Sequence, residues 1–206
     1  MDYSSLASLL TVIVVALGTI AAILGLGQWK KQMKGKVEYE LARRLLHGLY
    51  DIRNAIDLVR TYRLTEEDLK AFEEQNPDAK ISVEDPDFDA KIRQAGNRAT
   101  WPKLGQALNS YKVDLQEAEV VWGKDAKEKL TPIVPKIDEL WYANADYIEA
   151  VSSKADSSDF TTRLERRLKL EQVIYLQPPA REDKYEKEVD AIIADIEKYL
   201  RRFLNA

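Results

Sequence analysis

The apolar and polar positions divide the chain into one long uncharged run and a series of striped segments. Tyr3 to Trp29 contains no charged residue, and Lys30, Lys31, Lys34 and Lys36 follow at once. As a helix rising about 1.5 Å per residue, the run spans roughly 39 Å. A bilayer hydrocarbon core is about 30 Å thick. The run therefore predicts a transmembrane anchor at 3–29, with Tyr3 and Trp29 as interfacial aromatics and a basic junction at 30–36. Within it, Ser4, Ser8, Thr11, Val15, Gly18, Ala22 and Gly25 alternate at spacings of four and three. Six of these seven are small or hydroxylated, and such stripes let helices approach closely.

The remaining chain, 37–206, predicts a bundle of amphipathic helices. Leu41, Leu45, Leu49, Ile52, Ile56 and Val59 form a stripe on a helix from Val37 to about Arg63. No proline separates it from the uncharged run, so one nearly continuous helix is expected. Residues 64–100 break the pattern. Thr65 to Asp68 resembles a capping box, and Asn76-Pro77 stops the short helix it opens. Ten acidic residues against two lysines lie between Glu66 and Asp89, which marks an acidic excursion from the bundle.

A third helix is expected from Trp101-Pro102, striped by Trp101, Leu104, Leu108, Tyr111, Leu115, Ala118 and Trp122 and stopped at Gly123. The fourth carries Leu130, Val134, Ile137, Trp141, Asn144, Ile148 and Val151. Pro132 and Pro135 near its start cannot both stand at the first helical position, so its boundary or straightness is left open. Phe160 to Leu176 predicts a less regular helix, with a strand from Leu168 as the alternative. Arg181 to Phe203 predicts the last helix. The fold class expected is all-α: an N-terminal transmembrane helix followed by an antiparallel cytoplasmic helical bundle.

Composition narrows the partners. The formal charge of −4 argues against nucleic acid as a partner, since dedicated binders carry a strongly basic face. Six basic residues lie between Lys30 and Arg44 and none before the uncharged run. The positive-inside rule then orients the N-terminus outward and 30–206 into the cytoplasm, at an inner membrane. The absence of cysteine agrees with a reducing compartment. Membrane lipid, further copies of the chain and a cytoplasmic protein are the partners expected.

Candidate chemistry is sparse. The single histidine, His47, shares a helix face with Arg43 and Asp51, each four residues away. An acid/base centre is the functional reading of this trio, and surface pairing is the plain one. Asp85, Asp87 and Asp89 have the spacing of a calcium loop, but Ala90 stands where glycine is needed and Gly96 where the bidentate glutamate belongs. Arg163, Arg166, Arg167 and Lys169 form a short basic run; a solvated helix face is its plain reading, and lipid headgroups or an acidic segment such as 84–89 of a neighbour its functional one. Asn144 in an apolar stripe reads as a register-fixing core residue, and Trp101, Trp122 and Trp141 as core aromatics. No nucleotide-binding or zinc-binding motif occurs, so no cofactor or metal is expected.

The layout of uncharged run, basic junction and helical domain resembles small bacterial single-pass membrane proteins. It is also similar to membrane effectors of phage-defence and CRISPR-accessory systems, some of which carry HEPN-like helical domains. HEPN ribonucleases place four to six residues between an arginine and a histidine. Here Arg43 and His47 enclose three, and Glu40, Leu41 and Ala42 stand where that arginine belongs, so those roles do not carry over. The resemblance implies a non-enzymatic, homo-oligomeric, membrane-anchored protein that perturbs a membrane or forms a pore. A membrane-tethered nuclease using Arg43 and His47, or a monomeric scaffold recruiting a cytoplasmic partner, are the alternatives.

Overall fold

A computed structural model describes residues 3–61, 64–77, 81–152, 160–178 and 180–205, and their side chains except at 3–16, 19–24 and 160. Its first element, α1, is one uninterrupted helix from Tyr3 to Thr61. The six others are α2 (Glu66–Gln75), α3 (Phe88–Trp122), α4 (Lys124–Leu130), α5 (Ile133–Val151), α6 (Phe160–Ile174) and α7 (Lys184–Leu204). The described residues contain no strand, which removes the alternative at Leu168.

The expected transmembrane helix is corrected. Among the described residues, no helix is long and apolar enough to cross a membrane. The nearly continuous helix expected across the junction is present, and the segment 3–29 is the first part of α1. Its described residues run within a few positions of Gly25 into Lys30, Lys31, Lys34, Lys36, Glu38 and Glu40. The α1 arm is exposed wherever its side chains are described before Leu41, except for half-buried Glu38.

From Leu41 onward α1 becomes the spine of the bundle. Leu41, Leu45, Leu49, Ile52, Ile56 and Val59 are buried, as the stripe predicts. They pack against α3 on one side and α7 on the other. Leu104, Tyr111, Leu115 and Ala118 of α3 close one wall. Val189, Ile193, Ile196 and Leu200 of α7 close the other. Each fully buried aliphatic side chain contributes about 1.5–3 kcal/mol relative to exposure. Tyr111 crosses this tier and donates its hydroxyl to the Leu130 carbonyl at 2.8 Å. Burial raises the pKa of that phenol and keeps it neutral.

Two boundaries differ from expectation. α3 begins at Phe88 and not near Trp101, so Pro102 lies inside the helix. The extra turns bury Ala90, Arg93, Ala95 and Thr100, small or polar residues that carry no apolar stripe. The fourth helix is two: Gly123, at φ +89°, ends α3 and starts α4, and Pro132 precedes α5. α5 sits rotated from its expected face. Ile133, Ile137, Leu140, Ala143, Asn144 and Tyr147 are buried, while Trp141 is 53% exposed. Trp141 instead lies edge-on to Trp101, with ring centroids 4.8 Å apart.

Past the end of α1 the bundle continues as a second, polar tier. Leu64 lies against Gly96, and α2 rests on α3 through Phe72. The capping box at Thr65 and Asp68 is present as expected. At the centre of this tier, Arg93 is buried and donates from Nε to Asn144 Oδ1 at 2.6 Å. Its guanidinium lies over the Tyr175 ring at 5.0 Å. Its Nη2 has no hydrogen-bond partner. Burial lowers its pKa.

The tiers meet at Arg60 and Asp183, both buried. Arg60 donates to both Asp183 carboxylate oxygens, at 3.0 and 2.8 Å, and to the carbonyls of Val173 and Tyr175 at 2.8 and 2.9 Å. Asp183 also accepts the backbone N–H of Gln177 and caps α7 through the N–H of Glu186. Desolvation alone would raise the Asp183 pKa. The two backbone donors and Arg60 outweigh it and hold the pKa below the usual value.

Two stability outcomes follow from these buried polar groups. Asp183→Asn leaves Arg60 buried without a counter-ion and is expected to cost about 3–5 kcal/mol in denaturant unfolding. In the unsubstituted chain this contribution is present above the unfolded carboxylate pKa of about 3.9 and is lost as pH falls through the lower folded value. Replacing Arg93 with Met together with Asn144 with Leu removes a buried charge that has no carboxylate partner among the described residues. It is expected to leave stability unchanged or raise it by about 1–4 kcal/mol, measured the same way.

Candidate functional site

The sequence trio Arg43, His47 and Asp51 is brought together on the exposed side of α1. These residues line a concavity of about 490 Å³ with Glu40, Arg44, Gly48, Ser110 and Asp114. Helix α1 supplies one wall and α3 the other. The walls meet closely because Gly48 has no side chain: a Cβ there would stand 3.2 Å from Tyr111 Cδ2. A second concavity, of about 400 Å³, shares Asp51 and Ser110 and continues past Ala55 and Ala107 toward Leu58 and Lys103. The two make one shallow groove with small residues at its floor.

Charge along the groove is partly committed. Arg44 donates to Asp114 at 3.0 Å and also reaches Glu117. Those hydrogen bonds raise its pKa and lock that corner. Among the described residues, no hydrogen bond or ion pair involves Arg43, His47 or Asp51. The trio therefore shares a face as expected, but its members do not bond to one another. Among the described residues no carboxylate is hydrogen-bonded to the His47 ring, and Asp51 and Ser110 line the same concavity without bonding to it.

The other sequence candidates fall as follows. Gly18 and Gly25 have nothing within 4 Å of an added Cβ. Ser4, Ser8, Thr11, Val15 and Ala22 lie outside the residues whose side chains are described, as does Tyr3. Trp29, Lys30, Lys31, Lys34 and Lys36 are exposed on the arm, and Lys34 and Lys36 stand 3.7 and 3.9 Å from Glu38 and Glu40. The basic run on α6 leaves Arg163, Arg166 and Lys169 exposed and Arg167 half-buried. Arg167 pairs with Asp89 at 3.3 Å and with Glu171 at 2.8 Å, and Arg166 lies 3.6 Å from Glu149. The acidic segment it was expected to meet on a neighbour thus includes a partner in its own chain. Among the described residues, no group of three His, Asp or Glu is placed to hold a metal ion.

Sequence reasoning missed the floor of the groove. Gly48, Ala55, Ala107 and Ser110 carry no motif, and only the close approach of two long helices gives them meaning. No family model, curated protein or solved structure matches this chain.

Two substitutions separate the floor from the lip. His47→Ala removes an exposed side chain without partners and is expected to change unfolding free energy by less than about 0.5 kcal/mol. Gly48→Leu forces α1 away from the immobilised Tyr111 ring. It is expected to destabilise by about 1–3 kcal/mol, read by thermal unfolding of the same preparations.

Proposed function

We propose that this chain is a non-enzymatic homo-oligomeric protein. Its α1 arms associate side by side, in parallel, along the stripe Ser4, Ser8, Thr11, Val15, Gly18, Ala22 and Gly25. The observation that carries this reading is the arm itself: an apolar helical segment that continues the bundle's spine and whose described side chains before Leu41 are exposed, Glu38 excepted. Leu17, Leu26 and Trp29 are 62%, 57% and 57% exposed. Contiguous apolar surface of this kind marks an association site in a protein that persists. Gly18 and Gly25 leave the room that close helix approach needs.

Parallel association brings the bundles together and gives them a common axis. The helical domain then serves as the part that other molecules meet, and the oligomer as the unit that acts. The unpaired surroundings of His47 favour a contact surface over a reaction centre.

The test is the mass of the intact protein in mild detergent by native mass spectrometry. A defined oligomer is expected, and Gly18→Leu combined with Gly25→Leu is expected to reduce it to monomer. A chain beginning at Val37 keeps every buried residue of the described core and is expected to be a folded monomer. An oligomer that withstands both changes would refute assembly through the arm.

A further inference from the structure

The uninterrupted α1 fixes the angle between the arm stripe and each face of the bundle. An α-helix has about 3.6 residues per turn, so 18 residues make about five turns. Gly25 and Arg43 are 18 positions apart and share one azimuth. Gly18 and Asn54 are 36 positions apart, about ten turns, and share it too. His47 and Tyr50 fall within about 40° of it on the same spacing. Arg43, His47, Tyr50 and Asn54 are all exposed.

This azimuth lies opposite the core. Leu45 and Ile52 stand 20 and 27 positions from Gly25, which turns them about 160–180° away. Helix α3 touches α1 on one flank, through Arg44 and Gly48, and α7 on the other, through Arg53. Helix α1 is therefore the outward edge of the bundle, and its exposed ridge prolongs the arm stripe.

We infer that the ridge Arg43, His47, Tyr50 and Asn54 is an interface with a second, parallel copy of this chain. The inference rests on the arm-to-arm assembly proposed above. Two parallel helices that meet along the stripe present the same azimuth to each other further down, and here that azimuth is the ridge. Arg43, on the shared azimuth, meets its own copy, and Glu40 is the carboxylate that offsets the two cations. At equal heights, Glu40 of one copy stands about 4.5 Å along the axis from Arg43 of the next. Arg43, His47 and Asp51, whose side chains have no hydrogen bond or ion pair among the described residues, lie on or beside this ridge. An antiparallel pairing about His47 would also set Arg43 against Asp51, but it would carry the two arms apart.

The chain has no cysteine, so introduced thiols report contact without background. Gly25→Cys, His47→Cys, Asn54→Cys and the control Tyr142→Cys are each made in the full chain and oxidised in mild detergent. Residues near a parallel axis meet their own copies at the 4.4–6.8 Å between Cα atoms that a disulfide needs. Tyr142 is exposed on α5, away from the ridge. Disulfide dimer is expected at 25, 47 and 54 with at least tenfold the yield at 142. Linking at 25 with 47 and 54 no better than 142 would overturn the ridge interface and leave the arm assembly standing. Linking at 47 without linking at 25 or 54 would establish the antiparallel pairing and overturn this one. No linking at any position from a chain that is monomeric by mass would overturn both the ridge and the arm.

Discussion

The bundle depends on the ion pair between Arg60 and Asp183. Arg60 stands near the end of the spine helix, and Asp183 at the start of the last helix. Between them they satisfy the carbonyls that close α6, the N–H groups that open α7, and each other's charge. Burying either charge alone costs several kcal/mol, whereas the pair with its backbone partners is compensated. Remove one member and three helix ends lose their junction together. The apolar stripes supply most of the favourable free energy, but this contact decides where the outer helices sit.

Apolar periodicity made the inner tier legible. The stripe from Leu41 to Val59 reaches the core as read, because that helix buries one continuous face. The first turns of α3 were not legible. Their inward residues are Ala90, Arg93, Ala95 and Thr100, and no periodicity scale counts a buried arginine as core. Trp141 misled for a related reason. Its size promised burial, but α5 turns Leu140 and Tyr147 inward and leaves Trp141 beside Trp101 at the surface.

The uncharged segment shows a different limit. Composition and length identify an apolar stretch, but they assign it as a membrane anchor only by analogy with proteins whose anchors end where the charges begin. The helix crosses that point without a break, through Lys30, Lys31 and Gly35, as the absence of proline predicts. Of the candidate site, the sequence placed Arg43, His47 and Asp51 on one face correctly. It could not show that they would lack partners, because that depends on where α3 lies. The basic run on α6 reads chiefly as a solvated helix face, and Arg163, Arg166 and Lys169 are exposed, while Asp89 and Glu171 occupy Arg167.

The division into an apolar tier and a polar tier separates the molecule's responses to its surroundings. Burial of aliphatic surface weakens on cooling and carries the positive heat capacity of unfolding. Polar exposure contributes to that heat capacity with the opposite sign. Cold therefore loosens the grip of α1 on α3 and α7, while ionic strength works on the exposed pairs that hold α6. The same chain can be opened from either end, and the conditions choose which end gives first.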